Sequence, residues 1–318
     1  MKFRWKCSLL LATTFAASLA WAGGDARAQT CSCAGAPLLS SQDVSGMGAN
    51  ALMLSATYEY HDISDLVSGS QEIRNNIFNR YTHSLLIEGN YGVTRRFMVT
   101  GLVSMVQKEL QTTGNVRSRG VGDAMILGKY TLHTNTFDEQ YHISVGAGLK
   151  MPLSPNKLKS SEGIQLQPSM QPGSGSWDGI IWGYASKTFL PATTLNLFLT
   201  SSYRFRGKDQ PFLNSDRTFR FGNEWVSKLG AGIQLLEGLK PSLRLKHRYQ
   251  GRDKIEGSAV TSTGGHWVNV IPGVNYRLTN QWAIRVAGEI PLYRQLNGGL
   301  QYSTRYALKT TLFYNLNL

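Results

Sequence analysis

Apolar and polar residues alternate along most of this chain with a period of two. The last stretch is the clearest: counted back from Leu318 to Tyr306, every second residue is apolar or threonine, while the residues between them include Asn317, Asn315 and Lys309. Successive side chains of a β-strand point to opposite faces, so this alternation predicts a strand with one apolar face. The stretch is long enough to cross a bilayer, for which roughly 9–11 tilted residues suffice. Taken alone, it also fits an amphipathic strand of a soluble β-sandwich.

The same alternation recurs about a dozen times from Asn50 onward, and no helical period competes with it. The predicted strands span residues 50–60, 80–92, 97–109, 122–133, 141–151, 179–189, 194–206, 218–235, 241–250, 266–276, 282–293 and 302–318. A strand inside a membrane cannot leave an open edge in hydrocarbon, so a set of membrane-crossing strands must close into a barrel.

The connections between the predicted strands alternate in length. Short turns follow strands two, six, eight and ten, whereas the other links are mostly longer and rich in glycine and polar residues, the longest running from Pro152 to Asp178. Transmembrane β-barrels have short periplasmic turns and long extracellular loops. We therefore predict an all-β fold: a transmembrane antiparallel up-and-down β-barrel of about 12 strands over residues 50–318, with both chain ends in the periplasm.

The first residues predict export. Three basic residues up to Lys6 precede an apolar run from Leu9 to Ala22, and small residues form candidate cleavage sites up to Ala28. This is the pattern of a secretory signal peptide. We predict that residues 1–28 are removed and that residues 29–49 form a periplasmic tail or a plug segment.

Two cysteines remain after this cleavage, Cys31 and Cys33. In an oxidising compartment, they are expected to form a short local disulfide or to stay as two thiols on the tail. A site for a soft metal such as Cu(I) is the alternative, although no histidine or methionine pair stands beside them. We predict no cofactor.

One phase of each strand carries aliphatic residues in its middle and aromatic residues near its ends. Tyr and Trp at these positions suit the headgroup level of a membrane. Trp182, Trp225 and Tyr276 are expected to extend this girdle. We predict location in the bacterial outer membrane, with outer-membrane lipid and the barrel-assembly machinery as partners.

The opposite phase is basic. The formal net charge is +13, and about +10 remains after the signal is removed. The candidate pore-lining residues are Lys108, Lys129, Lys150, Arg204, Arg220, Glu224, Arg244, Lys246, Arg248, Arg285, Glu289, Arg305 and Lys309. Cations in a pore attract anions, so a hydrated lumen that favours anionic solutes is expected. In the alternative, the cations pair with residues such as Glu224 and Glu289 and fill the lumen.

Other function classes fit the sequence less well. Export and the spread of charge over every strand argue against nucleic acid as a partner. No histidine accompanies a Gly-x-Ser-x-Gly nucleophile signature, so we predict that the protein is not an enzyme. His83 and His247 lie on the lipid-facing phase, where a lipid-acting enzyme would need them.

Two glycine-rich motifs resemble an outer-membrane family named after the meta-pathway of phenol degradation. They are Gly120-Val121-Gly122-Asp123, followed by Lys129-Tyr130, and the run from Gln171 to Asp178. The resemblance implies a porin-like transporter for aromatic or other apolar compounds. With the basic phase, it predicts a channel for small molecules; a closed barrel that serves as an anchor and a lipid-acting enzyme are the alternatives. The oligomeric state is left open.

Overall fold

The structure is a computed structural model that describes residues 47–73, 78–112, 114–134, 140–189, 194–212 and 217–317. The predicted signal segment, Cys31 and Cys33 lie outside these residues, so the inferences about them stay predictions. In the described ranges, no helix is long and apolar enough to cross a membrane.

Twelve long antiparallel strands form one closed wall. They are β1 (Ala51–Asp62), β2 (Asn79–Gly92), β3 (Phe97–Gln111), β4 (Ala124–Thr134), β5 (Gln140–Met151), β6 (Asp178–Phe189), β7 (Leu195–Phe205), β8 (Glu224–Ile233), β9 (Leu239–Gln250), β10 (Gly265–Arg277), β11 (Trp282–Leu296) and β12 (Tyr306–Asn317). Each strand pairs with its neighbours in sequence, and β1 pairs with both β2 and β12. The predicted twelve-stranded up-and-down barrel is confirmed.

The long connections carry short strands of their own at one rim of the barrel. Leu300–Ser303 pairs with Asp65–Ser68, which also pairs with Gln71–Ile73. The segment Asn115–Val121 continues the pairing of β3 beyond the point where β4 leaves it. The other rim has the short turns and the paired strand ends Ala51 and Asn317. By the asymmetry of known membrane barrels, the long-loop rim is extracellular and the short-turn rim is periplasmic.

Two predicted strands extend too far into the loops. Strand eight, predicted over 218–235, consists of β8 and a separate short strand Arg217–Arg220. Between them the regular strand is interrupted at Gly222, which approaches Gly251 so closely that a Cβ would lie 1.9 Å from the Gly251 carbonyl oxygen, so only glycine fits there. Strand twelve, predicted over 302–318, begins only at Tyr306, because the preceding residues pair with the loop strand at Asp65.

The two faces of the wall differ as the alternation predicts. On β1, Ser55, Thr57 and Glu59 are buried in the interior, whereas Leu54 and Tyr58 are exposed on the outside. Aromatic contacts mark both rims of the outer surface: rings lie 6.1 Å apart for Tyr60 and Tyr81, and 4.6 Å apart for Trp282 and Tyr314.

The predicted aromatic girdle is wrong at one residue, Trp182. Trp225 and Tyr276 are exposed on the outer surface, but Trp182 is buried and faces the lumen. Its indole lies across Gly146, where an added Cβ would come within 2.2 Å of Cε2. The absence of a side chain at Gly146 therefore lets Trp182 lie flat against the inner wall.

Candidate functional site

The interior of the barrel is the candidate functional site, because buried charged residues concentrate there. Two ion-pair networks and an apolar patch occupy different parts of the inner wall, and one long loop reaches into the space between them. A buried charge is costly unless it is paired and hydrogen-bonded, so each of these contacts bears on what the lumen can accept.

The first network is centred on Glu224, at the long-loop end of β8. Glu224 accepts hydrogen bonds from Arg248 Nε at 2.6 Å and from Arg206 at 3.1 Å. Arg206 also contacts Asp178 at 3.3 Å. Arg204 lies 4.0 Å from the same Glu224 oxygen that Arg206 uses. We call these five residues the Glu224 network.

The second network is centred on Glu289 of β11. One carboxylate oxygen accepts from Lys246 Nζ at 2.7 Å and from the Asn269 amide at 2.5 Å. The other oxygen lies 3.3 Å from Lys309 Nζ, which is also 3.5 Å from Glu59. Two lysines and two carboxylates therefore neutralise each other in this Glu289 network, formed by Glu59, Lys246, Asn269, Glu289 and Lys309.

The long connection between β5 and β6 folds into the barrel. We call residues 152–177 the inward loop. Its short 3₁₀ turn, Pro168–Met170, carries buried Ser169 and Met170, and the following Gln171 is also buried. The Gln171 amide nitrogen donates to the carbonyl oxygens of Leu158 and Leu166, so the loop has internal hydrogen bonds of its own.

Buried cations of the wall hold the tip of this loop through its backbone. Lys108 on β3, 1% exposed, donates to the carbonyl oxygens of Ser169 at 3.0 Å and Gln171 at 2.6 Å. Arg80 on β2 donates to the same Ser169 oxygen. These cations therefore bind a loop, in contrast to those that pair with carboxylates of the wall.

Lys150 of β5 holds the other end of the loop. It is fully buried and donates to the Ser176 carbonyl oxygen at 2.6 Å and to Asp123 at 2.8 Å. Asp123 in turn accepts from the backbone nitrogen of Ser174 at 3.0 Å. Lys150 also lies 3.5 Å from Asp178, which connects the loop contacts to the Glu224 network.

An apolar patch covers part of the inner wall on β2, β3, β4, β6 and β7. Its buried members are Leu86, Leu102, Met125, Leu127, Ile180, Trp182, Tyr184 and Phe198. Cations lie over two of the rings: Lys129 Nζ is 5.5 Å from the Tyr184 centroid, and the Arg244 guanidinium is 5.6 Å from that of Phe198. The lumen therefore presents flat apolar surface beside positive charge.

A cavity of about 270 Å³ opens at the short-turn rim. Its described lining includes the basic residues Lys240, Arg277 and Arg285, with no acidic residue among the lining side chains. The Arg285 guanidinium lies 5.2 Å from the Phe313 ring and donates to Asn275 at 2.9 Å.

Most predicted pore-lining residues lie on the inner wall. Those that do are Lys108, Lys129, Lys150, Arg204, Glu224, Arg244, Lys246, Arg248, Arg285, Glu289 and Lys309. Arg220 and Arg305 lie outside the wall strands, in the long-loop region, where Arg220 donates to the Arg206 carbonyl and Arg305 to Asp65. Two further residues of the inner wall, Arg80 and Asp178, are not among the predicted pore-lining residues. The strand pattern could have identified both, because Arg80 is at an inward-facing position of β2 and Asp178 is the first residue of β6.

The two outward histidines lie among aromatic residues. His83 Nδ1 is 2.9 Å from the Tyr58 hydroxyl, and His247 Nε2 is 3.3 Å from His266 Nδ1. In the described part of the chain, neither histidine is hydrogen-bonded to a serine, which a serine hydrolase would need.

Neither a family model nor a curated protein sequence matches this chain. Among solved structures, it is similar to the COG4313 outer membrane channel from Pseudomonas putida F1, with a TM-score of 0.70 and 13% identity over 86% of this chain and 98% of that one. The two share a fold. The translocator domain of the autotransporter NalP from Neisseria meningitidis gives a TM-score of 0.47 at 10% identity, over 86% of this chain and 91% of that one. The TodX monoaromatic hydrocarbon channel deltaS2 mutant gives 0.37 at 12% identity, over the same shares.

The fold and the outer surface agree on where the barrel resides. A closed antiparallel barrel leaves no strand edge in hydrocarbon, and its exposed aliphatic residues, such as Leu199 and Leu245, suit contact with lipid. The predicted location in the bacterial outer membrane is confirmed. The resemblance to the family of the phenol meta-pathway stays a prediction.

Proposed function

We propose that this chain is an outer-membrane channel for small solutes, and that the inward loop is its gate. The observation that carries the proposal is the way the loop is held: Lys108, Arg80 and Lys150 of the wall donate to its backbone carbonyls. The likeness in fold to the COG4313 outer membrane channel supports a channel role rather than a catalytic one.

Hydrogen bonds between wall cations and the loop backbone suit a gate because they can be exchanged for hydrogen bonds to water or to a solute. A hydrogen bond to a charged group contributes about 1.5–3 kcal/mol net, since water or a solute offers an alternative partner. The barrel itself closes through the pairing of β1 with β12, which does not involve the loop. The loop can therefore leave the lumen without loss of the wall.

The charge of the lumen favours anionic solutes mainly at the short-turn rim. In the two ion-pair networks, carboxylates already compensate much of the positive charge. The cavity at the short-turn rim has three basic residues and no acidic one in its described lining. The exposed Glu237 lies 3.6 Å from Arg277 and offsets part of this charge. We propose that this end supplies the anion preference, because cations in a pore raise the local concentration of anions.

A second candidate cargo, aromatic or other apolar compounds, is favoured by the apolar patch. Trp182, Tyr184 and Phe198 present ring surface to the interior, and aromatic rings gain stability by packing on one another. The implied family resemblance points to the same class of compounds.

Conductance across a planar bilayer tests the proposal. We expect the purified barrel to open in brief events and to show a reversal potential of anion preference in a salt gradient. Swelling of proteoliposomes in a small neutral sugar separates passage of solutes from charge selectivity. A barrel that shows neither conductance nor swelling, with the loop contacts intact or removed, would contradict a channel and leave the anchor role.

A further inference from the structure

Arg204 is a buried cation without a hydrogen bond. Its side chain lies on the lumen face of β7, 2% of the residue is exposed, and none of its three guanidinium nitrogens has a hydrogen-bond partner in the described structure. Its nearest carboxylate, Glu224, is 4.0 Å away. A buried polar group without a partner costs stability, and a charged one costs more, so such a group calls for a partner.

The neighbouring carboxylate does not supply that partner. Each Glu224 oxygen already accepts from another arginine, Oε1 from Arg248 and Oε2 from Arg206. Arg204 therefore adds a third guanidinium to one carboxylate. Guanidinium binds a carboxylate best through two parallel hydrogen bonds, and this fork is unused at Arg204.

The wall beside Arg204 is apolar and flat. Ile180 is its cross-strand neighbour, and Trp182 is the neighbour of Ser202 in the same strand pair. Both belong to the apolar patch. Two further polar atoms of this wall, Trp182 Nε1 and Thr200 Oγ1, are also buried without a partner in the described residues.

We propose that Arg204 and the adjacent apolar patch form a binding site for a monocarboxylate with a flat apolar body, such as an aromatic acid. The carboxylate completes the fork of Arg204, and the ring packs against Ile180 and Trp182. This inference rests on the proposed channel function and names the class of its solute. It also explains why positive charge and aromatic surface occur together on this part of the wall.

The site is closed in this conformation of the barrel. All three Arg204 nitrogens are enclosed, so a solute reaches them only after neighbouring groups move. The loop is coupled to this region, because Lys150 holds Ser176 and also lies 3.5 Å from Asp178, which contacts Arg206. Release of the loop is therefore expected to speed binding.

Calorimetric titration of the purified full-length barrel in detergent tests the site, with benzoate as the probe and benzyl alcohol as its neutral counterpart. We expect benzoate to bind and benzyl alcohol to bind at least tenfold more weakly. Arg204→Met should weaken benzoate binding about tenfold or more, because it removes a charged hydrogen-bond donor. Arg117→Met, at an exposed position outside the lumen, is the matched control and should leave binding unchanged.

A second measurement separates a ligand site from a structural role. Because Arg204 makes no hydrogen bond to lose, Arg204→Met should leave the urea midpoint unchanged or higher, whereas Arg206→Met should lower it. Arg204→Lys keeps the charge but not the fork, and should bind benzoate with intermediate affinity. This variant keeps the test decisive if the methionine variant fails to fold.

The outcomes of the two proposals differ. Equal affinity for benzyl alcohol and benzoate, or full benzoate affinity in Arg204→Met, overturns the carboxylate site even if liposomes swell in neutral sugar. Absence of swelling together with Arg204-dependent benzoate binding overturns the channel and retains the site.

Discussion

Two groups of buried cations line the same barrel but bind different things. On β2, β3 and β5, Arg80, Lys108 and Lys150 donate to backbone carbonyls of the inward loop. On β9 and β12, Lys246 and Lys309 pair with carboxylates of other wall strands, Glu289 of β11 and Glu59 of β1. Residue type and burial are similar in the two groups, so the difference lies in their partners.

This difference separates a role in gating from a role in stability. Loss of Arg80 or Lys108 leaves carbonyl groups that water can satisfy once the loop moves. Lys150 combines both roles, because it also pairs with the buried Asp123. Loss of a charged member of the Glu289 network leaves an opposite charge fixed on a strand with less compensation. Breaking such a buried pair costs about 3–5 kcal/mol. Substitution of a cation that binds the loop should therefore change mainly the conductance, whereas substitution in the Glu289 network should change mainly the free energy of unfolding.

Removal of the two cations that bind the loop tip should have the largest effect on conductance. In Arg80→Met with Lys108→Met, the loop tip loses the hydrogen bonds from these two cations to the carbonyl oxygens of Ser169 and Gln171. We expect the time-averaged conductance in planar bilayers to rise about tenfold or more, since a few kcal/mol of charged hydrogen bonding is lost from the closed state. Unchanged conductance in a folded double variant would contradict the gate.

Neutralising the centre of the Glu289 network should have the largest effect on stability. Glu289→Gln leaves Lys246 and Lys309 with weaker compensation, because each lies within 3.3 Å of this carboxylate. We expect the free energy of unfolding, measured by urea titration in lipid vesicles, to fall by about 3 kcal/mol.

Two further variants define this effect. Glu237→Gln, at a highly exposed position on the short-turn rim, should change stability little. Adding Lys246→Met to Glu289→Gln should recover part of the loss, because it removes one of the two lysines left beside the neutral side chain. A further loss of stability in the double variant would show that packing, rather than charge, dominates here.

The sequence is informative about the wall because lipid imposes one rule on every strand. Leu54 and Tyr58 face outward and Glu59 inward, as the alternation on β1 predicts. The alternation is less informative where inward and outward positions are both apolar, as in Ile180-Ile181-Trp182. There, Trp182 can face the lumen because Gly146 of the neighbouring strand has no side chain. That contact depends on strand register, which a single strand does not reveal.

The partners of the cations could not be predicted for a related reason. Arg206 and Glu224 are separated by the whole connection from β7 to β8, and they meet only because of how the two strands are staggered. The inward path of the loop is set by Lys108 and Lys150 on two different strands. Arg220 was expected on the wall because its strand pattern runs on into β8, and the break occurs at Gly222.

A substitution at Gly146 should have an intermediate effect, on the loop-holding side of the wall. In Gly146→Ala the new methyl group would lie 2.2 Å from the Trp182 ring, so the indole must move into the lumen. Overpacking of this kind costs about 1–3 kcal/mol. We expect a lower urea midpoint and altered tryptophan fluorescence, both relative to Gly101→Ala, where an added Cβ meets nothing within 4 Å.

The smallest effect should come from a cation that belongs to neither group. Arg305 lies at the long-loop rim with its side chain 53% exposed and contacts Asp65 at 2.8 Å. Exposed ion pairs contribute about 0–1 kcal/mol, because water screens the attraction and two side chains must be held in place. Arg305→Gln should therefore change neither the free energy of unfolding by more than about 1 kcal/mol nor the conductance. A large change in conductance without a change in stability would place Arg305 on the entry path of the solute, as the sequence predicts. The cations that control passage would then include one at the long-loop rim as well as those that hold the inward loop.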